Sequence, residues 1–173
     1  MIDRRRAVHL ALATLGIAVL GTAMPAPTTR AQQGFQRFAS LLIDLPGWKA
    51  NKADGMALEM AGSSMVTAMR TYERDAAKVT ASVLTGPPAL GALAAANSGF
   101  KIETSELHMT TSTIDGMQVT KTYTNSTKSG ALLVALTGDA VFMLAYSGID
   151  EDEAIGLAKK FDWKGIQAQA QAK

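Results

Sequence analysis

The chain reads as a small α+β protein, a twisted antiparallel sheet of about six strands with helices packed on it, in the order α-β-β-α-β-β-β-β-α. Three observations predict this. Apolar residues recur at helical spacing near the start, the middle and the end of the chain. Between them run stretches of alternating, β-branched residues. Short polar turns join those stretches in pairs, which is the pattern of hairpins and not of crossover-linked parallel strands.

In chain order, Met1 to Arg6 includes Arg4, Arg5 and Arg6 and leads into the apolar stretch Ala7 to Leu20, broken only by His9. A charged start followed by an apolar run is the layout of an export leader. Small residues come next, and Thr29-Arg30-Ala31 fits the small-x-small pattern of a leader peptidase site, so cleavage is expected after Ala31, with Ala23 as second choice. An uncleaved anchor is the alternative, because no charge lies between Arg6 and Arg30. The strongly apolar stretch is nevertheless shorter than the ~20 residues a spanning helix needs, and prolines follow it. Residues 1–31 are read as a signal peptide, 32–166 as a single domain and 167–173 as a disordered tail. The protein is expected to be periplasmic or secreted, with no stable membrane span after the leader is removed. Arg5-Arg6 also admits twin-arginine export beside the ordinary unfolded route.

Within the domain, Phe35, Phe38, Ala39 and Leu42 mark one helical face, which Pro46 prevents from continuing. Leu45 to Trp48 reads as a turn that lays the tryptophan over the core, and Asn51 to Gly55 as loop. Met56 to Gly86 changes to strand pattern, with Ser64–Tyr72 and Lys78–Leu84 flanking a turn at Arg74–Ala77. Pro87-Pro88 opens a second helix carrying Leu90, Leu93, Ala94 and Asn97, stopped at Gly99. Leu107–Thr113 and Met117–Thr124 flank Ile114-Asp115-Gly116, whose Asp-Gly supplies the positive φ angles of a tight hairpin. Ala131–Thr137 and Val141–Ser147 flank Gly138-Asp139. The intervening Asn125–Gly130 is a polar loop whose Asn-Ser-Thr reads as turn chemistry and not as a glycosylation site. The last helix runs from Glu151 to Phe161, capped by Asp150 with Glu153 in a capping-box position. Glu151 and Asp152 sit at its positive end, Lys159 and Lys160 at its negative end, and Ile155, Leu157, Ala158 and Phe161 turn inward.

Composition narrows the function. The chain has 17 basic and 15 acidic residues; without Arg4, Arg5, Arg6, Arg30 and Asp3 these become 13 and 14, so the mature protein is near neutral and lacks the basic footprint of a nucleic-acid binder. Cysteine is absent, which excludes thiol catalysis, cysteine-zinc sites and iron–sulfur clusters and leaves packing to hold the fold. A domain of this size buries roughly two thirds of its unfolded surface, enough for a core of its own. No motif calls for a cofactor.

In element order and size the chain resembles the PsbP-like family, small exported or lumenal α+β domains that include photosystem accessory subunits. The resemblance covers about 130 mature residues at the level of pattern. It implies an accessory or binding role without identifying a ligand; together with the absence of catalytic motifs it leads to the expectation of a non-enzymatic module whose partner is an exported or membrane-associated protein.

Two constellations are candidate sites. Arg70 with Tyr72, and Lys121 with Tyr123, each share a strand face and would suit an anionic or aromatic ligand if the faces adjoin. Methionine is abundant: Met56, Met60, Met65, Met69, Met109, Met117 and Met143 all lie in the mature chain, and His108 adjoins Met109. Thioethers are soft ligands, so Met65, Met69, His108 and Met109 are the set that would hold Cu(I) in an oxidising compartment. Alternation along one strand separates Met56 and Met60 from Met65 and Met69 unless a bulge near Gly62 intervenes. Asp150–Glu153 lacks the glycine-punctuated spacing of a calcium loop. A hydrolase built on carboxylates is a further alternative, although Gly-x-Ser-x-Gly is absent and His108 is the one mature histidine.

Overall fold

The computed structural model describes residues 30–60, 62–97 and 101–172. The signal-peptide expectation lies outside the described residues except for Arg30 and Ala31, which begin the first helix, and so does the helix stop expected at Gly99. Among the described residues the chain runs α1 (Arg30–Ala39), β1 (Lys49–Ala50), β2 (Asp54–Met60), β3 (Ser63–Arg74), β4 (Ala77–Thr85), α2 (Pro87–Asn97), β5 (Ile102–Glu103), β6 (Leu107–Ile114), β7 (Met117–Thr124), β8 (Ser129–Thr137), β9 (Ala140–Ser147), α3 (Glu151–Ala158) and α4 (Trp163–Gln171).

All nine strands join one open antiparallel sheet, in the order β1-β3-β4-β9-β8-β7-β6-β5, with β2 also paired to β3. β1 meets β3 at Tyr72 and Glu73 and β2 meets it from Ser63 to Met69, so the two make one interrupted edge. Two meanders, β1 to β4 and β5 to β9, are thus joined at a central seam where β4 pairs with β9. Turn chemistry sets the tight hairpins. Asp115 and Gly116, at φ 51° and 81°, link β6 to β7, and Asp75 at φ 52° begins the link from β3 to β4.

Alternation gives the sheet two faces. On one, Tyr72, Val79, Val83, Leu132, Val134, Phe142 and Leu144 are buried against α1, α3 and α4, with Phe38, Leu42, Phe161, Trp163 and Ile166 contributed from the helix side. Phe161 lies 5.1 Å from Phe142 and 6.2 Å from Tyr72, centroid to centroid. Each such ring or branched chain contributes about 1.5–3 kcal/mol by leaving water. The other face carries a smaller cluster, where Ala89 and Leu93 of α2 meet Val141.

The fold class is as the sequence predicts; the count and order of elements are not. β2 replaces part of the expected loop at Asn51–Gly55, because a turn through Gly62, at φ 87°, folds Met56–Met60 back onto β3 as a separate strand. β1 and β5 are two-residue strands too short to carry a periodic signal. The expected final helix over Glu151–Phe161 ends at Ala158. The chain turns through Lys159–Asp162 and restarts as α4, where Asp162 accepts the Gly165 N–H at 2.9 Å as a new N-cap. Residues 167–171, expected as tail, continue α4, whose Trp163 and Ile166 are buried and whose Ala170 packs on the core. Among the described residues no helix is long and apolar enough to cross a membrane.

Candidate functional site

Two neighbouring rows of residues cross the helix-covered face. One runs Tyr72, Val79, Tyr146, Gly130, Tyr123 and His108; the next runs Arg70, Ala81, Leu144, Leu132, Lys121 and Thr110. The four residues expected to bind a ligand therefore do lie on one face in adjacent rows. Arg70 and Tyr72 are at one end, however, and Lys121 and Tyr123 at the other, with β4, β9 and β8 between them. At the usual strand spacing that is roughly 19 Å.

Each pair is engaged locally. Arg70 donates to the carbonyls of Asn51 (2.9 Å) and Leu42 (2.7 Å) and to the Asp44 carboxylate, and so ties the loop after α1 to β3. Tyr72 is wholly buried and donates to the Ile43 carbonyl at 2.7 Å; burial raises its phenol to about 12, partly offset by the Arg70 charge.

At the other end, Glu151 of α3 descends between Lys121 and His108. Lys121 Nζ donates to one carboxylate oxygen and His108 Nε2 lies on the other, both at 2.6 Å. Burial pushes the Glu151 carboxyl up, but hydrogen bonds and charge from Lys121 and His108 together outweigh it, so the group lies below its ordinary value. The His108 ring packs on Tyr123 at 5.3 Å, and Tyr123 stacks on Tyr146 at 6.3 Å. Gly130 lies between these tyrosines on β8. A Cβ there would meet the Tyr146 hydroxyl at 2.7 Å and the Thr122 carbonyl, so the ring crosses the sheet where a side chain is missing. From the sequence, Glu151 is expected only to favour the positive end of the helix dipole. Its partners stand 30 and 43 positions away, and no local pattern announces them.

The set Met65, Met69, His108 and Met109 is not brought together. Met65 and Met69 are on β3, Met109 is on β6 with four strands between, and His108 points to the face opposite its neighbour Met109. The β2–β3 hairpin instead overturns the parity expected for Met56. Met56 sits directly across from Thr67, so it is diagonal to both Met65 and Met69 on the same face. No group of three or more His, Asp or Glu positioned for a metal occurs among the described residues.

That second face is open. α2 covers only its centre, leaving Met56 59%, Leu58 46% and Met69 44% exposed. Beside α2, a cleft of about 190 Å³ is walled by Ala92 and Ala96 of the helix and by Met109, Leu133 and Met143 of the sheet. Polar groups here satisfy one another: the hydroxyls of Thr71 and Thr80 lie 3.3 Å apart and those of Thr111 and Thr120 3.1 Å apart. Comparison with family models, with curated proteins and with solved structures gives no match for this chain.

Proposed function

We propose that the protein is an exported, non-enzymatic accessory or binding module that receives a protein partner on the open face of its sheet. The observation that carries this is the apolar group Met56, Leu58 and Met69, exposed together on β2 and β3. Flexible thioether side chains on an accessible surface suit adaptive contact with a partner. The ionisable residues of the other face, Arg70, Lys121, His108 and Glu151, are committed to holding the helices in place. The leader-like residues 1–31 and the resemblance to PsbP-like domains support an exported accessory role. The test is affinity capture from the exported fraction with the native protein and with Met56→Glu/Met69→Glu. A partner retained by the native protein and lost by the variant supports the reading. Equal retention by both, or turnover of ester or glycoside substrates by the purified protein, refutes it.

A second reading is copper handling, and one observation favours it: Met56, Met65 and Met69 surround Thr67 on one face. Three thioethers so placed form a soft donor set for Cu(I). Met56→Leu/Met65→Leu/Met69→Leu separates the two readings, because it keeps an apolar docking surface and removes these three thioethers. Loss of Cu(I) binding with partner retention favours copper handling beside docking, whereas absence of Cu(I) binding in the native protein eliminates it.

A further inference from the structure

Where α3 gives way to α4, a cavity of about 290 Å³ opens against the β6–β7 turn, with Lys159, Lys160 and Lys164 along it, Trp163 in its wall, and Asp115 and Asp162 at its margin. We propose that this cavity binds a small organic oxyanion, a phosphate monoester or a carboxylate carried on a compact body.

Trp163 supplies the first reason. Its side chain is 6% exposed and its indole packs toward Phe142 at 6.4 Å, yet the indole N–H is buried without a hydrogen-bond partner among the described residues. Folded proteins rarely leave a buried donor unpaired, and an indole nitrogen can only donate, so the group that completes it must be an acceptor. Charge supplies the second. Lys159, Lys160 and Lys164 are exposed, and none enters an ion pair among the described residues, whereas Arg70, Arg74 and Lys121 on the strands beneath the helices pair with Asp44, Glu153 and Glu151. Of the two carboxylates, Asp162 is committed to the Gly165 N–H as the α4 cap, and Asp115 sits in the exposed turn. Three cations thus face two carboxylates, one of them already used. Size supplies the third: the cavity is roughly ten times the ~30 Å³ share of one water, room for an anionic group together with a small body. The site is on the helix side of the sheet, so it stands independently of the docking face proposed on the other side.

The chain has two tryptophans, Trp48 and Trp163, so the folded protein labelled with 15N at tryptophan shows two indole N–H signals. Phenyl phosphate and benzoate are the probes, titrated separately at constant ionic strength. The expected result is a saturable downfield shift of the Trp163 signal with Trp48 unmoved, and an affinity weakened about tenfold or more in Lys159→Gln/Lys160→Gln/Lys164→Gln. A response to phenyl phosphate alone assigns a phosphorylated ligand, and a response to benzoate alone a carboxylate. No saturable shift with either probe overturns the proposal. So does an undiminished affinity in the triple variant, or an equal shift produced by sodium chloride at the same concentration.

Discussion

Tyr72 and Thr71 are consecutive on β3 and belong to different environments. Tyr72 lies wholly buried beneath α1 and the α3–α4 turn, its hydroxyl bonded to the loop backbone; Thr71 faces the other way and pairs its hydroxyl with Thr80 on the next strand. The same contrast repeats across the sheet. On the covered face, aromatic and branched residues pack against helices and each charge reaches across to another element. On the open face, small residues, threonines and methionines satisfy themselves within the sheet, and one short helix covers the centre alone. The difference shows how packing is divided: the covered face holds most of the buried core, and the open face, outside its small cluster under α2, leaves apolar side chains exposed where docking is proposed.

Substitutions can break or sharpen this division, and the largest effect belongs to the covered face. Phe161→Ala should destabilise by about 3–5 kcal/mol in a denaturant titration, because a 3%-exposed ring in contact with Phe142 and Tyr72 leaves a cavity. A neutral result would show that α3 and α4 are peripheral to the core.

Glu151→Ala comes next, at about 1–3 kcal/mol, since it leaves the partly buried Lys121 ammonium and the His108 ring without their shared acceptor. Its pH signature is specific. The folded-state carboxyl lies below the ordinary 4.5, so its stabilisation is complete above that pH and is lost as pH falls below it. The stability difference between the native protein and Glu151→Gln should therefore narrow in acid below pH 4.5. A difference constant with pH would remove the ionic account of the cluster.

Asp150→Ala should cost about 1 kcal/mol through loss of the cap on the Glu153 N–H, now 2.8 Å from the carboxylate. The smallest effect is expected on the open face, where Met69→Thr should change stability by less than about 0.5 kcal/mol while altering partner capture. A loss comparable to that of Phe161→Ala would mean that the open face carries structural load after all.

Three hairpins were legible in the sequence because both signals coincide in them, alternation along the strands and a turn residue suited to positive φ, as at Asp115-Gly116. β2 escaped because Asp54-Gly55-Met56-Ala57 has no β-branched residue, and its pairing with β3 depends on a turn at Gly62 that looks like any interruption. The split of the last helix was readable in principle. Asp162 followed by Trp163, Ile166 and Ala170 is a cap and a stripe, but the Gln-Ala repeat beyond it resembles a polar tail. Alternation places Arg70 with Tyr72, and Lys121 with Tyr123, on a shared face within each pair. Which pairs adjoin depends on strand order, and strand order here follows from a seam between distant segments that composition does not encode.

That seam also bears on how the chain reaches its fold. Every hairpin closes over a short turn, whereas β4 and β9 must find each other across the sequence: Ser82 and Met143 are paired though 61 positions apart. Long-range pairing of this kind slows folding relative to local contacts, because a large loop must be ordered before the new hydrogen bonds form. The first meander is complete with β4, but the edge of β4 that will meet β9 stays unpaired until the second meander docks. An unpaired edge of Val79, Ala81 and Val83 is a template for pairing with the wrong strand. The last strand of the sheet therefore also serves as its guard, and a chain shortened before Ala140 would be exposed to aggregation through the very strand that forms the middle of the finished protein.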